Sequence, residues 1–234
     1  MHRDKIIFSL TLALLLSGSI ATAAQQRKPL LTPARIPLTA KSPRQFVPAG
    51  WTIEEQIVGD LNRDSLPDVV LKLVQSKTSN SAADAGEKQR ALIILFRGKN
   101  DQWRRAAIAD RLLQCVTCGG ALYGVKEAPA HVAIDKGILI VKQDHGSRNV
   151  VDQTFRFRHD KKIGKFLLIE LDRADRDRAN GELIEQHTDF LTGLKTASKS
   201  RYDEAGQKFV VKSSARTKVA KSRIPIEQVD HQKY

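Results

Sequence analysis

Short apolar runs of strand length are the feature that most restricts this chain. "DVVLKLV" (68–74) alternates apolar and polar residues, whereas "RALIILF" (90–96) is apolar with scarcely a break. "AHVAI" (130–134) and "GILIVKQ" (137–143) flank Asp135-Lys136-Gly137, "TFRFRH" (154–159) alternates, and "KFLLIEL" (165–171) follows a turn at Lys162 to Gly164. Period-two alternation between polar turns is the mark of half-buried strands, and Asp-Lys-Gly between two such runs suits a tight hairpin. Only "QWRRAAIADRLLQ" (102–114) has helical spacing. The pattern therefore predicts an all-β, single antiparallel domain, either a twisted meander or a sandwich.

The two ends differ from this middle. Residues 1–24 carry Arg3 and Lys5, an apolar run from Ile6 to Leu16, and the small residues Ala21-Thr22-Ala23. That is the layout of a secretory signal peptide, and the run falls well short of the ~20 residues that cross a bilayer. No cysteine follows to carry a lipid, so a soluble protein, exported to the periplasm or secreted, is expected. Residues 25–50 hold five of the eight prolines and read as an extended arm, with order expected from near Trp51. Residues 51–194 form the predicted domain. Residues 195–234 carry ten Lys or Arg against four acids and read as a loosely attached basic extension that could add edge strands.

Lys and Arg outnumber acids by 39 to 26, a formal net charge of +13. In an exported protein the acidic partners within reach are envelope polymers, anionic lipids or an acidic protein. Aromatic residues do not interleave with the basic ones as stacking on single strands requires, which argues against nucleic acid.

Against this basic background, "GDLNRDSLPD" (59–68) crowds three carboxylates together. Counting Asp60 as position one, side-chain oxygens fall at one, three, five and nine (Asp60, Asn62, Asp64, Asp68), with the carbonyl of Leu66 at seven. Ca²⁺ takes six to eight hard oxygen ligands, and alternate residues of a tight loop can face one centre. Carboxylates ~5 Å apart otherwise repel by up to about 3 kcal/mol per pair at an effective dielectric of 20. An EF-hand needs Glu at position twelve and flanking helices; here position twelve is Leu71 and the flanks read as strands. A polar turn held by its own Asx hydrogen bonds is the competing reading.

These residues resemble the integrin-type calcium loops of FG-GAP and VCBS repeats, whose pattern runs Asp-x-Asn-x-Asp-Gly-x-x-Asp. The resemblance implies one structural Ca²⁺ bound by the side chains of Asp60, Asn62, Asp64 and Asp68 and the carbonyl of Leu66. Ser65 stands where that pattern has glycine, which predicts a strained turn and a weaker site. A propeller needs several such loops and this chain has one, which excludes repeat architecture. Over roughly residues 46 to 194, "FVPAGWTIEEQIVGDLNRD", "CVTCGG" and "FLTG" follow one another as in small exported bacterial proteins of uncharacterised role. Some proteins of this kind are similar to periplasmic inhibitors of peptidoglycan hydrolases, including immunity proteins, which implies a cell-wall hydrolase as a partner.

Other chemistry is sparse. Cys115 and Cys118 are the only cysteines, too few for a structural zinc site without histidines beside them. In an exported protein a disulfide pinning a local turn is expected; a free pair, a metal and a redox role are the alternatives. His131, His145, His159, His187 and His231 are scattered, and no nucleophile signature occurs. "DRADRDRANGE" (172–182) alternates acids with arginines and reads as a solvated hairpin ending at Asn180-Gly181. Gly146, Ser147 and Arg148 are read as a protruding turn with Arg148 at its tip, a candidate partner-binding site. The expectation is an exported, non-catalytic calcium-binding protein that acts by protein or cell-envelope contact.

Overall fold

Among the described residues the chain forms twelve strands, paired antiparallel in two sheets. The computed structural model describes residues 29–77, 86–124 and 126–234, so the expected signal peptide lies outside the described residues. The first sheet contains β1 (Thr39–Ala40), β2 (Trp51–Gly59), β3 (Asp68–Gln75), β4 (Arg90–Arg97) and β5 (Trp103–Ala109), in the order β1-β5-β4-β3-β2. The second is a seven-stranded meander of β6 (Ala130–Asp135), β7 (Ile138–Gly146), β8 (Asn149–Asp160), β9 (Lys165–Asp177), β10 (Glu182–Asp189), β11 (Leu194–Asp203) and β12 (Lys208–Lys218). The Asp135-Lys136-Gly137 hairpin forms between β6 and β7 with both Lys136 and Gly137 at positive φ; the turn at Asn180-Gly181 joins β9 to β10, but Asp172 to Asp177, expected in a solvated hairpin turn, belong to the paired strand β9. "QWRRAAIADRLLQ" is β5 followed by loop: pairing of Trp103 to Ala109 with β4 overrides its helical spacing.

The sheets face each other across one core. Val70, Leu92 and Ile94 of the first sheet meet Val141, Phe155, Phe157 and Phe166 of the second, all buried. Because successive residues of a strand point to opposite faces, Val69, Leu71, Ile93 and Leu95 project away from that core. They are buried as well, under the N-terminal segment.

That segment corrects the expected extended arm. Prolines 33 and 43 open short 3₁₀ turns, Pro33–Arg35 and Pro43–Phe46, where a missing N–H costs nothing. The turns set Leu31, Ile36 and Phe46 onto the outer face of the first sheet. Backbone N–H groups of Leu30 and Leu31 donate to Asp110, 2.6 and 3.1 Å, and the Arg105 guanidinium donates to the Pro33 carbonyl, 2.8 Å. Order thus begins well before Trp51, because strands apolar on both faces need a cover on both.

The basic extension is corrected in part. β11 and β12 continue the meander, with β12 alone at the edge, and the last residues are firmly attached. Ile226 and Val229 are buried in the inter-sheet core, and the Leu168 N–H donates to the Ile224 carbonyl at 2.9 Å. β2 and β6 also approach closely: a Cβ on Gly59 would sit 2.7 Å from the Ile134 side chain.

Candidate functional site

The calcium-like loop is the β2–β3 connection, at the rim where the sheets meet. Asp60 accepts the backbone N–H groups of Asp64 (3.2 Å) and Ser65 (2.9 Å), and Asp64 accepts that of Leu66 (2.9 Å) and the Asn62 amide (2.9 Å). Asp68 is fully buried; its carboxylate accepts N–H groups from Leu61, Asn62 and Arg97 at 2.9, 3.2 and 3.1 Å. Burial raises the Asp68 pKa above its ordinary value against the pull of those three donors. Arg63 and Ser65 take positive φ, 57° and 68°, so Ser65 holds the backbone conformation expected of glycine at that position.

The donor set suits a hard cation. Every candidate ligand is an oxygen, and Asn62 Oδ1 is buried without a hydrogen-bond partner. The three carboxylates are not gathered within 4.8 Å of one another; each is occupied by the backbone donors of its own turn. Among the described residues, the acids, histidines and thiols that do bring ligand atoms that close are Glu87, Cys115 and Cys118.

Cys115 and Cys118 lie at disulfide distance, Cα to Cα 5.1 Å, as expected. Their loop, with Gly119 and Gly120, packs on the end of β7. A Cβ on Gly120, at φ +66°, would fall 2.5 Å from the Gly146 carbonyl oxygen, and the Gly146 N–H donates to the Gly119 carbonyl at 3.0 Å. The turn at Gly146, Ser147 and Arg148 is therefore braced on one side by the cysteine loop. On the other side the Arg148 guanidinium holds Asp177 through two bonds of 3.0 and 2.9 Å. Arg148 is exposed, but its charge is already engaged. Its hydrogen bonds lower the Asp177 carboxyl to about 2.

Two features emerge only from the sheet as a whole. The face of the meander turned away from the core carries no covering layer among the described residues and forms a trough of about 870 Å³. One cross-strand row through it runs Lys142, Thr154, Asp172, His187, Thr196 and Arg216, and the next runs Asp152, Ala174, Glu185, Ser198 and Ser214. Small residues make the floor and charges pair within it. Asp172 lies 2.5 Å from Arg156 and 2.6 Å from His187; burial acts to raise its pKa, but these partners outweigh burial and hold the carboxyl below its usual range. On the opposite, core-side face, one row is polar instead of apolar: Gln143, Gln153, Arg173 and Gln186. The sequence signal was there in Gln153, which shares its face with Phe155, and in Gln143, which shares its face with Leu139 and Val141.

No helix among the described residues is long and apolar enough to cross a membrane. Comparison with protein-family profiles, with curated proteins and with solved structures finds no match.

Proposed function

We propose that the chain is an exported, non-catalytic calcium-binding protein that works by holding a macromolecular partner on the outer face of its seven-stranded sheet. Asn62 Oδ1, buried without a donor in an all-oxygen loop, is the observation that carries the calcium reading. Asp60, Asn62, Asp64, Asp68 and the Leu66 carbonyl would hold the ion, which would relieve the repulsion between neighbouring carboxylates. At millimolar Ca²⁺ and a dissociation constant of ~0.1 mM, bound calcium adds about 1.4 kcal/mol to stability. Isothermal titration tests this: wild type should bind one Ca²⁺ and Asp64→Ala should not. Heat changes equal in the two proteins would end the calcium reading.

The partner reading rests on the trough. Its alternating charges give a pattern that a complementary protein surface can match, and such patterns set specificity and encounter rate more than raw affinity. A cell-wall hydrolase is the partner class implied by the resemblance of the loop segments. Capture from periplasmic extract should weaken when Asp172 and Glu185 are both changed to Lys, with folding checked by circular dichroism. Recovery of the same proteins by wild type and variant would refute the assignment to this face.

A second reading has its own observation. β12 carries Lys208, Lys212, Arg216 and Lys218 and no acid, on an exposed edge strand. This strand would hold anionic envelope polymers or lipids. Binding to lipoteichoic-acid-like polyphosphate or to anionic vesicles should fall steeply with salt and vanish when these four residues become Ser.

A further inference from the structure

A polar cavity of about 320 Å³ lies between the cysteine loop, the ends of β7 and β8, and the C-terminal segment. Gln114, His145, Gln153, Arg173 and Tyr234 line it. Gln114 and Gln153 are at least 99 % buried, in a region that the strand pattern would otherwise fill with apolar side chains.

The amide orientations are set by their neighbours. Gln114 Nε2 donates to the carbonyls of Pro129 (2.6 Å) and Asp144 (2.9 Å), and Gln153 Nε2 donates to those of His231 and Tyr234. Both amide nitrogens are thereby spent on main-chain acceptors. The oxygens, Gln114 Oε1 and Gln153 Oε1, are buried and meet no donor, and His145 Nδ1 is buried without a partner. A buried acceptor left without a donor keeps the full cost of its lost hydration. Three in one cavity indicate that something with hydrogen-bond donors completes them.

The lining also narrows what that is. Bare oxygens repel carboxylates and phosphates. Arg173 in the wall is already engaged by Asp175 at 2.6 Å and by the Tyr234 main-chain oxygen, so its charge is neutralised and gives an ion of either sign little to pair with. Burial, with Arg173 beside it, pushes the His145 imidazole below its ordinary pKa and so toward the neutral form. What remains is an uncharged group that both donates and accepts, which describes a hydroxyl. The volume equals about ten waters at ~30 Å³ each, and the lower end of known small-molecule sites is about 300 Å³. The Tyr234 ring adds aromatic surface to the wall.

We propose that this cavity binds a small neutral polyhydroxyl ligand, one or two saccharide units, through Gln114 Oε1, Gln153 Oε1 and His145. The cavity shares the Arg173 wall with the outer trough, but its three bare acceptors belong neither to the trough nor to the calcium loop, so it stands or falls independently of both.

The test is a titration of ¹⁵N-labelled full-length protein, in EDTA, with glucose, N-acetylglucosamine and sucrose up to tens of millimolar. At least one sugar should shift the side-chain amide signals of Gln114 and Gln153 saturably and give intermolecular NOEs to His145. Gln114→Met and Gln153→Met should each raise the apparent Kd about tenfold, the loss of roughly one hydrogen bond. If either variant fails to fold, the wild-type shifts and NOEs decide alone. The proposal is overturned if no sugar moves these signals, if the cavity exchanges only water, if the shifts map to the outer trough, or if ethanolamine binds there and the sugars do not.

Discussion

Removing the Glu54 carboxylate should strand the buried Arg90 cation and leave a second one, Lys72, with Glu55 alone. Arg90 is 2 % exposed and grips Glu54 through Nε at 2.8 Å and Nη2 at 2.9 Å; its Nη1 donates to the Ala128 carbonyl at 2.8 Å. Lys72, almost as deeply buried, lies 3.5 Å from Glu54 and 3.6 Å from Glu55. At 2.8 Å and an effective dielectric of 20, the Arg90 pair alone is attracted by about 6 kcal/mol before desolvation is charged against it. Breaking a buried pair from one side costs about 3 to 5 kcal/mol, because the remaining cation has neither water nor partner. Glu54→Ala should therefore lower the urea midpoint at unchanged m-value and depress Tm by about 6 to 20 °C, at 2 to 4 °C per kcal/mol for a chain of this size. The combined change of Glu54, Arg90 and Lys72 to Met should recover most of that loss, since an apolar replacement leaves no charge unpaired. A Glu54→Ala cost below about 1 kcal/mol, the range of solvated surface pairs, would refute the claim that this network is desolvated.

Phe46→Ala should cost about 3 to 5 kcal/mol by urea unfolding, because the arm is a structural layer; a linker would lose nothing. Ser65→Gly should stabilise the protein by roughly 1 kcal/mol by relieving a left-handed non-glycine residue, measured by the same method without added metal. The Asp177 carboxyl is lowered by Arg148 first and by the Ala179 N–H second, so Arg148→Ala should move its titration, followed by ¹³C NMR, from about 2 partway back toward 3.8. Tyr123 donates to Asp144 at 2.7 Å, and burial followed by that bond pushes its phenol up to about 12 from 10. The folded state holds this proton where the unfolded state releases it, so its contribution is full below pH 10 and is lost as pH rises toward 12; Tyr123→Phe should flatten the stability profile across that window.

The strands were legible because their periodicity is local. Asp135-Lys136-Gly137 specifies a hairpin within three residues, and "RALIILF" announces a strand buried on both faces. What buries its second face was not legible in the same way. The prolines of residues 29–48 suggested a chain unable to pair, yet 3₁₀ turns and side-chain clasps such as Asp110 to Leu30 need few ladder bonds. Leu31, Ile36 and Phe46 were the overlooked signal: apolar residues in a supposed linker need a surface. β5 failed for the opposite reason, since Trp103 to Ala109 has helical spacing but an antiparallel neighbour waiting in β4.

The two candidate sites divide along the same line. Asp60, Asn62, Asp64, Leu66 and Asp68 fall within nine residues, so their oxygens can be counted without a fold. Their placement adds a consequence that counting lacks: Leu61 is buried in the inter-sheet core, Arg63 donates across to the Lys136 carbonyl at 3.0 Å, and Asp68 takes the Arg97 N–H. Ordering this loop therefore tightens β2, β3 and β4 against the β6–β7 hairpin. The glutamine cavity has no such local signature, because Gln114, His145 and Gln153 come from three separate segments. Only the misplaced polarity of Gln143 and Gln153 on an apolar face hinted at it, and that hint has meaning only once the opposing loop is known to bring Gln114 over them.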